Sequence, residues 1–428
     1  MTMKNRSRFV ICVVAALLVL LTGAVSVSSV PALAEETTTR YKIAHVTDMH
    51  IFIENYANIY SRAYIDKAKG TKLLEESQLA SEIAFNELMN MEEPPMYVFI
   101  TGDLTNDGEI ENHEWVGNLL KKVTTEMRKK PGYEGFQIFV IPGNHDLYNK
   151  KAKSFLPPAE EIEACTTYEE LKTLLENYEG ISVVSAKVTD FFRIYSDFGY
   201  CDCEGRKDGN HNASCGMADG CSLEFFYESN FWYGGKGVSR DQLEPVDGET
   251  IPKDVLKAYE DTKNFALIQS YAKLCSLSYI ARIKDMTVLA LNADSRDYDT
   301  DFPDRVKKGK ATTAEIANGG WHETTGAYIS DECLKWAVES LKDDVKNNRG
   351  IFTLGHANFV PHFTMEDEII SLFVYDNWEE ATYTLADAGI RYGFSGHQHA
   401  NDQVDYVTQN GNVFYDFETG SLISYGSA

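Results

Sequence analysis

Short, almost continuously apolar runs recur along this chain, separated by longer segments of mixed character. Such runs predict strands that are buried on both faces of a sheet. Helical patterns lie between several of them, and this alternation indicates an α/β architecture. The six runs are Ile43–Val46, Tyr97–Thr101, Phe136–Ile141, Thr287–Leu291, Ile351–Leu354 and Ile390–Phe394.

Three of the intervening segments have the apolar spacing of an amphipathic helix. They are "LLEESQLASEIAFNELMNM", "EWVGNLLKKVTTEM" and "DECLKWAVESLKDDVKNN". The middle of the chain, about residues 201–275, lacks such a period and is rich in Gly, Asn, Asp, Cys and aromatics. We therefore interpret it as an inserted, cysteine-containing subdomain or cap rather than core sheet, because ordinary loops of that length are uncommon.

Aromatic residues of this insert have two interpretations. They could stack on an organic leaving group, or they could form the insert's own small core, which we favour because small modules need every apolar residue. The residues concerned are Phe225, Phe226, Tyr227, Phe231, Trp232 and Tyr233.

The N-terminus has the pattern of a secretory signal peptide. Basic residues precede an apolar stretch from Phe9 to Ala24, and Ala32-Leu33-Ala34 provides a small-x-small cleavage site. We expect residues 1–34 to be removed and the protein to be secreted; the alternative is an uncleaved N-terminal membrane anchor. No later segment of the sequence is long and apolar enough to span a bilayer.

Export changes the interpretation of the cysteines. Outside the cytoplasm, the crowded "CDCEGRKDGNHNASCGMADGC" favours disulfides over a zinc site, although His211 and nearby acids keep a metal site open. An odd number remains after signal removal, so one thiol lacks a partner within a monomer, and the sequence does not give the connectivity. These cysteines are Cys165, Cys201, Cys203, Cys215, Cys221, Cys275 and Cys333.

The formal charge of −25 argues against non-specific binding to nucleic acid, whose phosphates attract Lys and Arg. If the chain handles phosphate groups, local positive charge must offset this field, and a bound metal would supply it.

Five of the strand-like runs end in polar turns that carry metal-ligand chemistry. Since open α/β sheets gather ligands at the carboxyl ends of their strands, these turns can converge in space. They are Asp48-Met49-His50, Gly102-Asp103, "PGNHD" from Pro142, Gly355-His356 and "SGHQH" from Ser395.

Oxygen and imidazole donors in these turns suit Zn, Mn or Fe. Two ions with four protein ligands each need about eight bonds, so a site of seven residues requires one shared carboxylate. The seven candidates are Asp48, His50, Asp103, Asn144, His356, His397 and His399.

The ordered series DxH, GD, GNHD, GH and GHxH resembles the calcineurin-like metallophosphoesterase superfamily. "GDLTNDGEIENHEW", "YSDFGY", "SLSYIARIKDMTVLALNADS" and "FETGSLISY" look like exported bacterial members. The resemblance covers about 41–200 and 276–428, and it implies a domain over 41–428 that the insert at about 201–275 interrupts. It also implies a four-layer α/β/β/α sandwich, in which two mixed β-sheets are flanked by helices.

The resemblance further implies two ligand sets that share Asp103, and a general acid, His145, facing the leaving group. It implies a di-metal phosphoesterase in which a metal-bridging hydroxide attacks a small phosphomonoester or phosphodiester. Two alternatives stay open: a non-catalytic metal-binding module that keeps the fold, and a cyclic-nucleotide phosphodiesterase. The two implied sets are Asp48, His50, Asp103 and His399, and Asp103, Asn144, His356 and His397.

Two departures from the family pattern matter. Many members have GDxxD, whose second Asp orients the GNH histidine, whereas this chain has Asn106 there, followed by Asp107. We hypothesise that the Asn106 amide orients His145 and gives it a lower pKa than a carboxylate partner would. Asp107 is interpreted as a turn or helix-start residue. The chain also stops at "SLISYGSA", where the family pattern leads us to expect a further strand.

The remaining histidines receive no functional role from the sequence, except that His322 in "GGWHETTG" is the most plausible near-site residue. His45 lies inside the first predicted strand. The unassigned ones are His113, His211 and His362.

Overall fold

The structure is a computed structural model, and the chain divides into two units, Met1–Arg40 and Tyr41–Ala428. The fold below is that of the second unit. The predicted signal segment 1–34, His211 and His322 lie outside the described residues. The structure describes residues 40–70, 72–147, 149, 151–201, 216–228, 243–245, 250–262, 268, 271–284, 286–292 and 327–423.

Strands and helices alternate along the described chain. The strands are β1 Ile43–Val46, β2 Tyr97–Thr101, β3 Gln137–Ile141, β4 Lys153–Ser154, β5 Ile181–Ser182, β6 Ser222–Glu228, β7 Leu243–Pro245, β8 Ala272–Ile283, β9 Met286–Ala290, β10 Gly350–Leu354, β11 Tyr392–Ser395, β12 Asp402–Val407 and β13 Val413–Glu418. The helices are α1 Arg62–Ala68, α2 Ser77–Asn90, α3 Ile110–Arg128, α4 Ala159–Ala164, α5 Tyr168–Asn177, α6 Val188–Ile194, α7 Lys253–Thr262, α8 Asp331–Lys346, α9 Glu366–Ile369 and α10 Trp378–Asp387.

Two principal sheets organise the domain. The smaller has the order β1-β2-β3 and is parallel throughout its described strands. The larger has the order β12-β13-β11-β10-β9-β8-β6, and β7 also pairs with β8. Its centre, β9, β10, β11 and β13, is parallel, whereas β12, β8, β6 and β7 pair antiparallel with their neighbours. A separate antiparallel pair joins β4 to β5.

Aromatic side chains between the sheets hold them face to face. The Phe99 ring of β2 lies 6.0 Å from the Phe352 ring of β10 and 5.3 Å from the Phe394 ring of β11. Because strand side chains alternate between faces, Val98 and Ile100 point away from the larger sheet, and both are fully buried. They belong to an apolar cluster that includes residues of α2, α3 and α6.

A second apolar cluster covers the outer face of the larger sheet. Ile280, Leu289 and Ile351 of that sheet pack there with Leu334 of α8 and Leu385 of α10. The domain therefore has a mixed α/β fold with two packed sheets flanked by helices, as predicted.

All six predicted strands are present, with ends that differ by one or two residues, and all three predicted helices form. Sequence patterning missed β6, β8, β12 and β13. The alternating burial of β13 is that of a half-buried strand, and the outermost strand β12 is mostly exposed. A search for continuous apolar runs does not detect strands of that kind.

The described part of the predicted insert joins the core instead of forming a separate subdomain. Strand β6 pairs with β8 from Ser222 opposite Arg282 onwards, and so extends the larger sheet. The Phe225 ring packs 5.3 Å from Phe192 and 6.3 Å from Tyr279, inside the main core. Phe226 packs 5.2 Å from Trp336 of α8. A cysteine-containing subdomain is not confirmed, because these aromatics are used by the main domain.

The disulfide prediction is not supported in the described part of the chain. No disulfide joins any two of the five cysteines described there, which are Cys165, Cys201, Cys221, Cys275 and Cys333. Cys203, Cys215, Phe231, Trp232 and Tyr233 lie outside the described residues.

Among the helices that the structure describes, none has the length and apolar character that crossing a bilayer requires.

Candidate metal centre

The five polar turns follow the carboxyl ends of β1, β2, β3, β10 and β11, and they meet where the two sheets face each other. Hydrogen bonds connect these turns across the two sheets. The ring of His356, after β10, donates from Nδ1 to the Thr101 carbonyl oxygen across 2.7 Å. The backbone N–H of His397, after β11, donates to Asp48 Oδ2 across 2.9 Å. The convergence predicted from the strand ends is therefore present.

The backbone at these turns has an uncommon conformation. Nine described non-glycine residues have positive φ, and five of them are candidate ligands. The left-handed region is sparsely populated by residues other than glycine, although Asp, Asn and His tolerate it best. Residues 48 and 50 face the same site, and residues 397 and 399 lie close to it as well. The five are Asp48, His50, Asp103, His397 and His399.

Glycine is required where the turns touch. Gly102 has φ +94°, and a Cβ there would lie 2.7 Å from the Gly143 nitrogen and 2.8 Å from His356 Nδ1. A Cβ at Gly396 would lie 2.6 Å from Asp48 Oδ2. These distances are shorter than van der Waals contact, so the glycines of GD and GHQH allow the ligand-bearing turns to approach each other.

The first group of candidate ligands is Asp48, His50 and His399. Asp48 Oδ1 lies 3.0 Å from His399 Nε2 and 3.5 Å from His50 Nε2. The two Nε2 atoms of His50 and His399 face each other across 3.2 Å. Two imidazole nitrogens and a carboxylate oxygen therefore point at one small volume.

Asp103 lies between two groups of histidines. Its Oδ2 is 3.7 Å from His50 Nε2 and 3.9 Å from His145 Nε2. Its Oδ1 is 3.4 Å from His356 Nε2 and accepts a 2.9 Å hydrogen bond from the backbone N–H of His145. The side chain is almost fully buried. One carboxylate thus presents its two oxygens to different sets of imidazoles.

The second group is built from Asp103, His356 and His397, with Asn144 beside it. Asn144 Oδ1 lies 3.1 Å from His356 Nε2, and the rings of His356 and His397 are 4.7 Å apart. His397 donates from Nε2 to the Leu372 carbonyl oxygen, which leaves its Nδ1 as a potential ligand atom. All seven predicted ligand residues are brought together, and their role as ligands stays a prediction.

The candidate metal centre contains two ionised carboxylates, Asp48 and Asp103. Burial alone would raise the pKa of Asp48, but hydrogen bonds from His399 and His50 hold that pKa well below its usual range. Burial alone would lower the pKa of His356, whereas the Asp103 charge and its hydrogen bond raise it to about 10. Burial lowers the pKa of His397 to about 4. The acidic groups therefore stay ionised and attract positive charge.

His145 is oriented differently from the prediction. Its Nδ1 contacts the main-chain carbonyl of Asn106, and Asp107 Oδ1 lies 3.5 Å from the same nitrogen. The Asn106 side chain instead donates to Asp107 Oδ2 across 3.0 Å. Burial would lower the pKa of His145, but the Asp103 charge and the hydrogen bond to Asp107 raise it.

Asp107 lies in the turn before α3, and its carboxylate also faces the His145 ring. The turn brings the carboxylate of residue 107 to the imidazole, while residue 106 contacts the same ring through its backbone carbonyl. Lys67 also pairs with the Asp107 carboxylate. No spacing rule in the sequence distinguished these two adjacent residues.

Sequence reasoning also missed residues around the centre. Lys72 Nζ lies 3.0 Å from His50 Nδ1 and 3.4 Å from His145 Nε2. Asp146 is fully buried and accepts hydrogen bonds from the backbone N–H groups of Gly143 and Thr105, at 2.8 and 3.0 Å, which fixes the GNHD turn against the GD turn. The "GNHD" motif pointed to Asp146, but no local pattern pointed to Lys72.

Two of the remaining described histidines, His113 and His45, have structural partners. His113 bonds the Tyr195 hydroxyl at 2.8 Å and the Asp146 carbonyl at 2.8 Å. His45 lies between the hydroxyls of Thr101 and Thr419, at 2.8 and 2.7 Å. Both are fixed inside the core and lie outside the candidate ligand groups.

The donor set fits divalent metal ions. Within the described chain, three groups of acidic and imidazole side chains have ligand atoms that all lie within 4.8 Å of one another, and each contains residues predicted from the sequence. Mixed carboxylate and imidazole donors are the usual ligands of Zn, Mn and Fe. The groups are Asp48, His50 and His399; His50, Asp103 and His145; and Asp103, His356 and His397.

A sequence model of the calcineurin-like phosphoesterase family matches residues 41–264, just over half of the chain. The chain belongs to the calcineurin-like phosphoesterase family. The match contains the DxH, GD and GNHD turns, so three of the five ligand-bearing motifs of this phosphoesterase lie within it. No curated protein sequence matches the chain.

Two solved structures are similar to this chain. A dimetal phosphatase from Danio rerio is 10% identical, with a TM-score of 0.39, and the match covers 90% of this chain and 88% of that protein. A phosphopantetheinyl hydrolase from Mycobacterium tuberculosis is 9% identical, with a TM-score of 0.28, and the match covers 89% and 90%. Because both TM-scores are low, the family assignment depends on the sequence match.

Proposed function

We propose that this phosphoesterase is a secreted enzyme that hydrolyses small phosphate esters with two metal ions that share Asp103. One observation carries the proposal: the two oxygens of Asp103 face different histidines. His50 Nε2 is 3.7 Å from Oδ2, and His356 Nε2 is 3.4 Å from Oδ1. A carboxylate of this kind can bridge the paired ions of phosphatases, which are about 3.5–4 Å apart.

Metal ions bound here would activate water and offset charge on the phosphoryl oxygens. The chain's own residues do the rest. Asp48, His50 and His399 would hold one ion, and Asn144, His356 and His397 the other. As the water oxygen bonds to phosphorus and the ester P–O bond breaks, His145 transfers a proton from Nε2 to the departing oxygen.

The geometry of His145 supports this role. Its Nδ1 faces two acceptors, the Asn106 carbonyl and the Asp107 carboxylate, so Nδ1 keeps its proton. The opposite atom, Nε2, faces Asp103 and the centre. A general acid must present its proton within hydrogen-bond reach of the leaving group, and Nε2 is the ring atom on that side.

Secretion is proposed from the basic, apolar and small-residue pattern of the first 34 residues. Outside the cytoplasm, a small phosphate ester would be the accessible substrate. N-terminal sequencing of protein recovered from the medium of an expressing bacterium should begin at Glu35. Recovery of an intact N-terminus in the membrane fraction would contradict cleavage.

The deciding experiment measures hydrolysis of p-nitrophenyl phosphate, bis(p-nitrophenyl) phosphate and cyclic nucleotides by the mature chain, with metal analysis after Mn²⁺ or Zn²⁺ addition. We expect turnover together with about two ions per chain. Intact metal binding without turnover of any ester would overturn the enzyme proposal in favour of a binding module. Turnover of cyclic nucleotides alone would make the chain a cyclic-nucleotide phosphodiesterase.

A further inference from the structure

Lys72 reaches the candidate metal centre from the segment before α2, and nothing in the metal-ligand set accounts for it. Its Nζ lies 3.0 Å from His50 Nδ1 and 3.4 Å from His145 Nε2. The rings of those two histidines are 5.1 Å apart. The ammonium is therefore located beside the proposed general acid, on the face of His145 that a leaving group must approach.

The backbone of this segment is fixed, although the side chain is long. The Leu73 N–H donates to the Ile423 carbonyl oxygen across 2.8 Å, and Leu74 is buried. The Ser421 hydroxyl, two residues before Ile423, donates to the Asp48 carbonyl oxygen across 2.8 Å. Lys72 thus starts from a backbone position that is tied to a ligand-bearing turn.

His50 Nδ1 could not accept a hydrogen bond from Lys72 if His50 were bound to a metal ion. An imidazole that binds a metal through Nε2 keeps its proton on Nδ1. A lysine ammonium has three donors and no acceptor, so it cannot form a hydrogen bond with a protonated Nδ1. With His50 acting as a ligand, the donors of Lys72 need another acceptor near His145 Nε2. A phosphoryl oxygen of a bound substrate would supply that acceptor.

We propose that Lys72 binds a non-bridging phosphoryl oxygen and selects phosphomonoesters over phosphodiesters, an inference that rests on the proposed function of the same site. A monoester dianion has one more negative charge and one more non-bridging oxygen than a diester. A fixed ammonium therefore interacts more favourably with the monoester, in a chain whose net charge otherwise repels phosphate.

The test compares Lys72→Met with wild type on p-nitrophenyl phosphate and its bis-ester, at equal metal content. We expect kcat/KM for the monoester to fall about 10- to 100-fold and for the diester to change less than about threefold. The dissociation constant of inorganic phosphate, measured by calorimetry on the metal-loaded protein, should rise by a similar factor to the monoester effect. Lys72→Arg should restore most of the loss.

Lys69→Met is the matched control. It removes the same charge three residues before Lys72, and the Lys69 side chain is exposed and pairs with Asp66. Lys69→Met should leave kcat/KM for both esters and the affinity for inorganic phosphate unchanged. Equal losses on both esters, or no loss on either, would overturn the assignment of Lys72. If wild type hydrolyses no ester, the proposed function fails, and equal phosphate affinity of wild type and Lys72→Met would then also refute the inference.

Discussion

Two groups of histidines and carboxylates, whose members range from buried to exposed, lie beside the larger sheet, and their charges are balanced in different ways. The candidate metal centre gathers five imidazoles around Asp48 and Asp103. The second group has a single imidazole, His362, surrounded by acids from β12 and β13. The His362 ring nitrogens lie 3.4 Å from Asp402 Oδ2, 3.4 Å from Asp416 Oδ2 and 3.7 Å from Glu418 Oε2.

In the second group the proton on the imidazole balances the acids. Burial alone would lower the pKa of His362, but the hydrogen bond and charge of Asp416, with Glu418 and Asp402, raise it to about 9. Each ring nitrogen can donate to a carboxylate. The group is therefore a buried ion-pair network, and it is not one of the three described groups whose ligand atoms lie within 4.8 Å of one another.

In the metal centre, ring nitrogens face ring nitrogens. His50 Nε2 and His399 Nε2 are 3.2 Å apart, and protons on both would repel each other. A cation between them satisfies both nitrogens and the nearby carboxylates at once. His and Asp side chains that lie close together are therefore not enough to indicate a metal site. What separates the two groups is whether the imidazole nitrogens point at each other or at carboxylates.

The largest expected effect is at Asp103. Asp103→Ala should lower kcat by well over 100-fold and reduce metal content, since even partners of ligands contribute about 10- to 100-fold. Steady-state hydrolysis and elemental analysis measure both. The matched variant in the other group is Asp416→Asn, which should keep its metal. Full metal content and activity in Asp103→Ala would remove the distinction between the two groups.

His362→Gln should reduce stability without affecting metal binding. Removing the imidazolium leaves the buried Asp416 carboxylate uncompensated, so we expect the free energy of unfolding at pH 6 to fall by about 3 kcal/mol. Urea unfolding with metal analysis tests this. A loss of metal with unchanged stability would reverse the assignment of the two groups.

The same variant should change the pH dependence of stability. The pKa of His362 rises from 6.5 to about 9 on folding, so its contribution is complete below pH 6.5 and is lost as pH increases through about 9. Burial also raises the pKa of Glu418 to about 8, which adds to the decline as pH increases. The decline in unfolding free energy between pH 6.5 and 9 should therefore be smaller in His362→Gln than in wild type. An identical decline would exclude His362 as its source.

Within the metal centre, Asp107 should matter most when the leaving group is poor. Asp107→Asn weakens the orientation of His145, so we expect kcat for an alkyl phosphate to fall about tenfold and kcat for p-nitrophenyl phosphate to fall much less. The reason is that nitrophenolate departs without a proton. Equal losses on both esters would indicate that Asp107 acts on the metals or the fold.

The smallest effect is expected at Asn106. Asn106→Ala keeps the main-chain carbonyl that contacts His145 and removes only the amide that donates to Asp107 Oδ2. Activity on the alkyl phosphate should fall less than about fivefold. A larger loss than in Asp107→Asn would restore the original hypothesis that the Asn106 side chain orients the imidazole.

Local sequence patterns were sufficient to predict β1, β2, β3, β9, β10 and β11, the order of the motifs and the seven candidate ligands. Continuous apolar runs such as Tyr97–Thr101 are a local signal for strands. The Asp, Asn and His residues in the turns after these runs indicate metal-ligand chemistry. The match to the family follows from the same local signals. What lies in one turn, or repeats with one period, can be predicted from the chain alone.

The residues near a motif that contact the candidate metal centre could be identified only from the tertiary structure. The choice between Asn106 and Asp107 depends on how one turn meets His145, and Lys72 comes to His50 from 22 residues away. The place of β6 and Phe225 in the larger sheet depends on pairing with β8. The raised pKa of His362 depends on acids of strands that are distant in sequence. Contacts between segments far apart in sequence depend on packing, for which the local pattern contains no signal.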